Sequence, residues 1–134
     1  MKTASIAVFL LAASVNTLLA GVNQSCAAGG DPATYIRIHG RLGVYNGGYP
    51  NLRIWHIGTH HIYGIFGDRR DLYCAREGSC NEDQDTAVPG NLKIDLLHFW
   101  TYGNFELRPL EPFRPGHQQA ACIVSADNLI RRRN

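Results

Sequence analysis

LRIWHIGTHHIYGIF, residues 52–66, decides the fold. Its two halves, LRIWHI (52–57) and HHIYGIF (60–66), read as short strands rich in β-branched and aromatic residues. Between them stand Gly58 and Thr59, with glycine at the first central position, as a type II′ hairpin turn requires. That turn pairs Ile57 with His60, His56 with His61, Trp55 with Ile62 and Ile54 with Tyr63. A four-residue loop centred on the same point keeps this register. Cross-strand partners share a face. His56 and His61 therefore oppose each other beside Ile54 and Tyr63, while His60, Ile57, Trp55 and Ile62 occupy the other face.

The chain on either side continues the pattern. TYIRIHGRLGVY (34–45) alternates, with Tyr35, Arg37 and His39 on one face and Ile36, Ile38 and Gly40 on the other. Asn46-Gly47-Gly48 is a turn signal, because these residues tolerate positive φ. Residues 67–90 are polar and loop-like, and LKIDLLHFW (92–100) changes phase midway. GNFELRPL (103–110) reads as a strand ending at Pro109, PFRPG (112–116) as a connection, and QQAACIVSA (118–126) as a last strand. No stretch keeps a helical period beyond two turns. The expectation is an all-β domain over residues 34–130: a small antiparallel β-sandwich or partly open barrel of five to six strands, with a long disulfide-stapled loop.

The N-terminus reads as a secretory signal. Lys2 supplies the positive charge, and IAVFLLAA (6–13) is an apolar run too short to span a bilayer. Residues 1–20 are the expected signal peptide, with cleavage after Ala20 or as late as Ala27, followed by a flexible lead-in over 21–33. The remaining chain, roughly 105–115 residues, suits one domain with one core. Thirteen basic and eleven acidic side chains nearly balance, so charge gives no case for nucleic acid. Arg131-Arg132-Arg133 begins a basic tail, 131–134, read as solvated. The mature chain has no transmembrane segment by this reading, and its location is periplasmic or secreted.

Export makes the four cysteines a disulfide question with three connectivities. The preferred one joins Cys74 to Cys80 within a short loop, and Cys26 to Cys122, stapling the start of the domain to its last strand.

Arg53, Trp55 and Tyr63 are the candidate ligand-binding residues, an amphipathic surface for a glycan or another envelope component. His56 and His61, ~5 Å apart at Cβ if they face each other, are the candidate metal ligands. Zinc there needs a third ligand, from His39 or His98. No cofactor is expected otherwise. The acidic residues Glu82, Asp83 and Asp85 sit in one polar loop without the glycine and distal glutamate of a calcium loop. Nucleophile-elbow, zincin and P-loop motifs are missing from the sequence. The reading is a non-catalytic binding or structural domain, with a metal-dependent hydrolase or metal-binding protein on His56 and His61 as the alternative.

GRL (40–42), YNG (45–47), LRIWHIGT (52–59), YGNF (102–105), RPG (114–116) and CIVSADNLI (122–130) together resemble a group of short exported bacterial proteins of unassigned function. The resemblance implies a Gram-negative source and a periplasmic or outer location, and no activity. Similar sequences carry a cysteine just after the YGNF strand, paired with one in the last strand. Here Leu107 and Arg108 occupy that region, which leaves Cys122 to another partner such as Cys26, or free.

Overall fold

The computed structural model describes residues 21–45, 50–78, 88–92 and 98–134. The expected signal peptide, the 46–48 turn, Cys80 and the acidic loop residues Glu82, Asp83 and Asp85 lie outside them.

Five strands close into a ring in the order β1-β2-β3-β5-β4. They are β1 (Ile36–Val44), β2 (Leu52–His56), β3 (Ile62–Ile65), β4 (Phe99–Pro109) and β5 (Gln119–Arg133). The fold is all-β as the sequence indicates, and of the two expected architectures the ring is the one adopted. One expectation needs correction: the sheet is not wholly antiparallel. β3 pairs with β5 in parallel, Tyr63 opposite Gln119 and Ile65 opposite Ala121. A parallel pair needs a long crossover, and residues 66–118, with β4 among them, provide it.

β1 is the strand that lets the ring close. Its first part pairs with β4 from Ile36 to Leu42, and its second part pairs with β2 from Gly40 to Val44. Gly40 belongs to both ladders, opposite His56 on one side and Gly103 on the other. A Cβ at Gly40 would lie 2.5 Å from Ile54 Cγ2, so only glycine allows this approach.

The register of the hairpin is the one the alternation predicts. Trp55 faces Ile62 and Ile54 faces Tyr63, while His56 N–H donates to His61 C=O at 3.0 Å. The turn is the four-residue version: Thr59 N–H donates to His56 C=O, and Gly58 takes the left-handed conformation at φ +83°.

Inside the ring, Ile38, Leu42, Ile54, Tyr63, Ile65, Phe105, Leu107 and Ile123 form the main core. A second, smaller core lies on the other side of β5, where Cys122 and Val124 meet Cys26, Phe66, Leu72 and Leu110. β5 is thus buried on both faces from Gln119 to Val124. This explains why its sequence, AACIV (120–124), is a continuous apolar run rather than an alternating one.

The second core is roofed by two helices. α1 (Gln24–Ala27) lies within the stretch read as a lead-in, and Val22 bridges to Ser125. Cys26 of α1 is disulfide-bonded to Cys122, the preferred pairing from sequence. Arg108 anchors the same segment by donating to the carbonyls of Cys26 and Ala28, each at 2.8 Å. Cys74 is also disulfide-bonded, and its expected partner, Cys80, is outside the described residues.

α2 (Arg69–Glu77) occupies part of what the sequence suggested was a plain polar loop. Its ends carry ordinary signals. Asp68 caps the N-terminus by accepting from Asp71 N–H at 2.9 Å, and Gly78 ends the helix in the left-handed conformation. The basic run 131–133 is likewise strand, because β5 extends to Arg133 opposite Phe99.

Candidate functional site

The outer surface of β1, β2 and β4 carries a ladder of cations and rings. Alternation turns Ile38, Leu42, Ile54, Thr101 and Phe105 into the ring and leaves Arg41, Trp55, Trp100 and Tyr102 outside. Arg41 is the centre, opposite Trp55 on β2 and Tyr102 on β4. Its guanidinium lies 4.7 Å from the Trp55 ring and 4.4 Å from the Trp100 ring, a cation held between two indoles. Tyr45 meets Trp100 edge-on at 5.3 Å, and Arg53 lies over Tyr45 at 5.6 Å.

Local features fix these groups. The Trp55 indole N–H donates to Thr59 C=O at 2.8 Å, tying the ring to the hairpin turn. Trp100 can lie against the sheet because its neighbour is Gly43, where a Cβ would approach the indole to 2.3 Å. Among the described residues Arg41 Nε has no hydrogen-bond partner, and the flanking indole faces offset that loss. Desolvation disfavours the Arg41 charge, but the hydroxyls of Tyr45 and Tyr102 outweigh it, so its pKa lies above the ordinary guanidinium value. Arg41 is therefore a permanent cation that organises the aromatic rings around it.

His56 and His61 do face each other at one end of the ring, as the register predicts. His61 stacks on Tyr63 at 4.2 Å and contacts Phe113 at 4.8 Å. It also lines an open groove of about 440 Å³ with His60, His117 and Phe113. The pair offers two of the three or four ligands that zinc takes. Among the described residues no group of three histidine, cysteine or acidic side chains is placed to hold a metal. His39, one suggested third ligand, is on the outer face, hydrogen-bonded to Asn104.

Burial holds the pKa of His61 below its ordinary 6.5, and the neighbouring His56 adds to the effect against an opposing hydrogen bond from the His61 ring to the Gln119 side chain. The unfolded chain then takes up this proton first as pH falls. The stability His61 contributes is complete above 6.5 and is lost as pH drops through that value towards the lower one of the folded state. The expected result is a larger fall in melting temperature between pH 7.5 and pH 5 for the wild type than for His61→Gln. Equal falls in the two proteins would contradict it.

Of the three candidate ligand-binding residues, Arg53 and Trp55 belong to the outer ladder. Tyr63 does not: it is 4 % exposed and part of the main core. The pleat separates it from Trp55, since Tyr63 pairs with Ile54 and Trp55 with Ile62. Arg41 and Trp100 were missed from sequence. They are far apart in the chain and meet only because β1 pairs with β4. Arg41 alone had a local signal, as a charge on the face that alternates with Ile38 and Leu42.

No protein-family model, no curated protein and no solved structure matches this chain.

Proposed function

We propose that this chain is an exported, non-catalytic binding domain of the bacterial envelope, and that its working surface is the Trp55–Arg41–Trp100 stack, which takes a glycan. The observation that carries this reading is the fixed pair of indoles on an outer sheet surface. Rings already ordered by Arg41, Thr59 and Gly43 lose little conformational freedom when a sugar face stacks on them.

Two further features support it. The Cys26–Cys122 disulfide is compatible with an oxidising compartment. Signal cleavage after Ala20 keeps Cys26, whereas cleavage after Ala27 removes it and the bond with it. β4 lies beside β1 after the β1-β2-β3 meander, which is Greek-key order, and five strands in such a ring is the make-up of OB barrels. These bind oligosaccharides and oligonucleotides on their strand faces, a parallel of architecture only.

The test is a panel of neutral and acidic hexasaccharides titrated against the mature protein, read by tryptophan fluorescence and calorimetry. At least one should bind, and Trp55→Ala should weaken it about tenfold or more, equivalent to about 1.4 kcal/mol. Because Trp55 is only half-buried, the same variant should lose much less stability than the ~3–5 kcal/mol typical of a core tryptophan. If no sugar binds, or if binding ignores Trp55, the reading fails.

A further inference from the structure

Beside the aromatic ladder, on the same outer surface, is a cleft of about 270 Å³ lined by His39, Tyr102, Asn128, Ile130 and Arg132. Tyr102 belongs to both features, since it faces Arg41 across the sheet and lies 5.9 Å beneath the Arg132 guanidinium. A ligand on the indoles can therefore continue into the cleft.

The cleft has a defined hydrogen-bonding polarity. Arg37 forms an ion pair with Asp127, and Asp127 accepts from Asn104 Nδ2 at 3.0 Å. The Asn104 bond, reinforced by Arg37, holds the Asp127 pKa below the usual carboxylate range, so the group is an acceptor only. Asn104 must then present Oδ1 to His39, whose Nδ1 lies 3.1 Å away. Nδ1 therefore carries the proton, and a neutral His39 has Nε2 left as an acceptor. Arg132 provides the complementary group, a planar donor fork with no carboxylate partner among the described residues. Ile130, 60 % exposed, adds an apolar wall. The backbone is unusual here too: Asn128 has φ +53° beside the irregularity between Tyr102 and Asn104. Bulges of this kind re-aim side chains next to functional sites.

We infer that this cleft is a subsite for a carboxylate-bearing sugar, a uronate unit of the glycan that stacks on Trp55 and Trp100. The carboxylate meets the Arg132 fork, a ring hydroxyl donates to His39 Nε2, and the apolar face of the sugar lies against Ile130. A planar fork matches a carboxylate in bidentate fashion, which favours a uronate over a neutral hexose. The inference rests on the glycan-binding reading above and adds the class of sugar.

The experiment compares a hexauronide with its methyl-esterified, uncharged counterpart, by calorimetry at fixed ionic strength on the mature protein. The acidic ligand should bind about tenfold or more tightly than the ester. Arg132→Gln, an exposed change, should weaken the acid about tenfold or more, and the ester by much less, so that the preference disappears. His39→Phe should weaken both ligands by a similar factor, since it removes the hydroxyl acceptor. Equal affinity for acid and ester, with both lost in Trp55→Ala, overturns the uronate subsite and leaves the glycan-binding reading intact. An acid preference that survives Arg132→Gln also overturns the subsite. Failure of both ligands to bind overturns this inference, and failure across the whole sugar panel overturns the broader reading as well.

Discussion

Replacing Cys26 and Cys122 together with alanine lowers the stability of the domain by roughly 4–5 kcal/mol, the loop-entropy value for a bridge of this span. The two residues are 96 positions apart, so the bond constrains nearly the whole unfolded chain. Both are fully buried in the smaller core, and alanine at each adds some lost packing. The measurement is the urea midpoint of the oxidised wild type against the double variant, with the m-value compared as well. A rise in m is expected, because the uncrosslinked chain exposes more surface when it unfolds. A loss below about 1 kcal/mol would mean that the unfolded ensemble already keeps α1 near β5, contrary to the chain-entropy account.

Phe105→Ala is expected to cost ~3–5 kcal/mol, the range for removing a large aromatic side chain from a core. Phe105 is fully buried, faces into the ring from β4 and lies opposite Ile38 of β1 and Ala126 of β5. It also approaches Gly40, where β1 passes from one ladder to the other. A void there loosens the seam at which the ring closes. Equilibrium denaturation gives the magnitude. Hydrogen exchange gives the place, since amides of β1 and β4 should lose more protection than those of α2. A cost near 1 kcal/mol would show that neighbouring side chains collapse into the space.

Part of this was legible in the sequence because period-two alternation is a local signal. Along β2 buried Leu52 and Ile54 alternate with half-buried Arg53 and Trp55, and the pairing of Ile54 with Tyr63 and Trp55 with Ile62 could be derived from the turn alone. The same alternation also rules out Tyr63 as a companion of Trp55, and the two belong to opposite faces. The Cys26–Cys122 bond was one of three arithmetical options, and the need to tie the domain's start to its last strand selected it. The parallel pairing of β3 with β5 has no such local signal, because it depends on how the chain crosses the ring. α2 was hidden for another reason. Its nine residues have Leu72 as their buried anchor, too little for a visible apolar stripe, and the Asp68 and Gly78 caps are what mark it. The Arg41–Trp100 contact is likewise a product of ring closure, with no sign in either strand taken separately.

The position of β5 also bears on the order in which the molecule can assemble. β5 follows every other strand in the chain, yet it completes the ring by joining β3 to β4, and it carries Cys122. A polypeptide emerging N-terminus first has β1, β2 and β3 available as an open meander with two raw edges. Neither the enclosed core nor the covalent staple can exist until the last strand arrives. Such non-local closure is slow compared with helix or hairpin formation. A chain built this way stays open until its C-terminal strand docks, and only then does the closed ring shield its core.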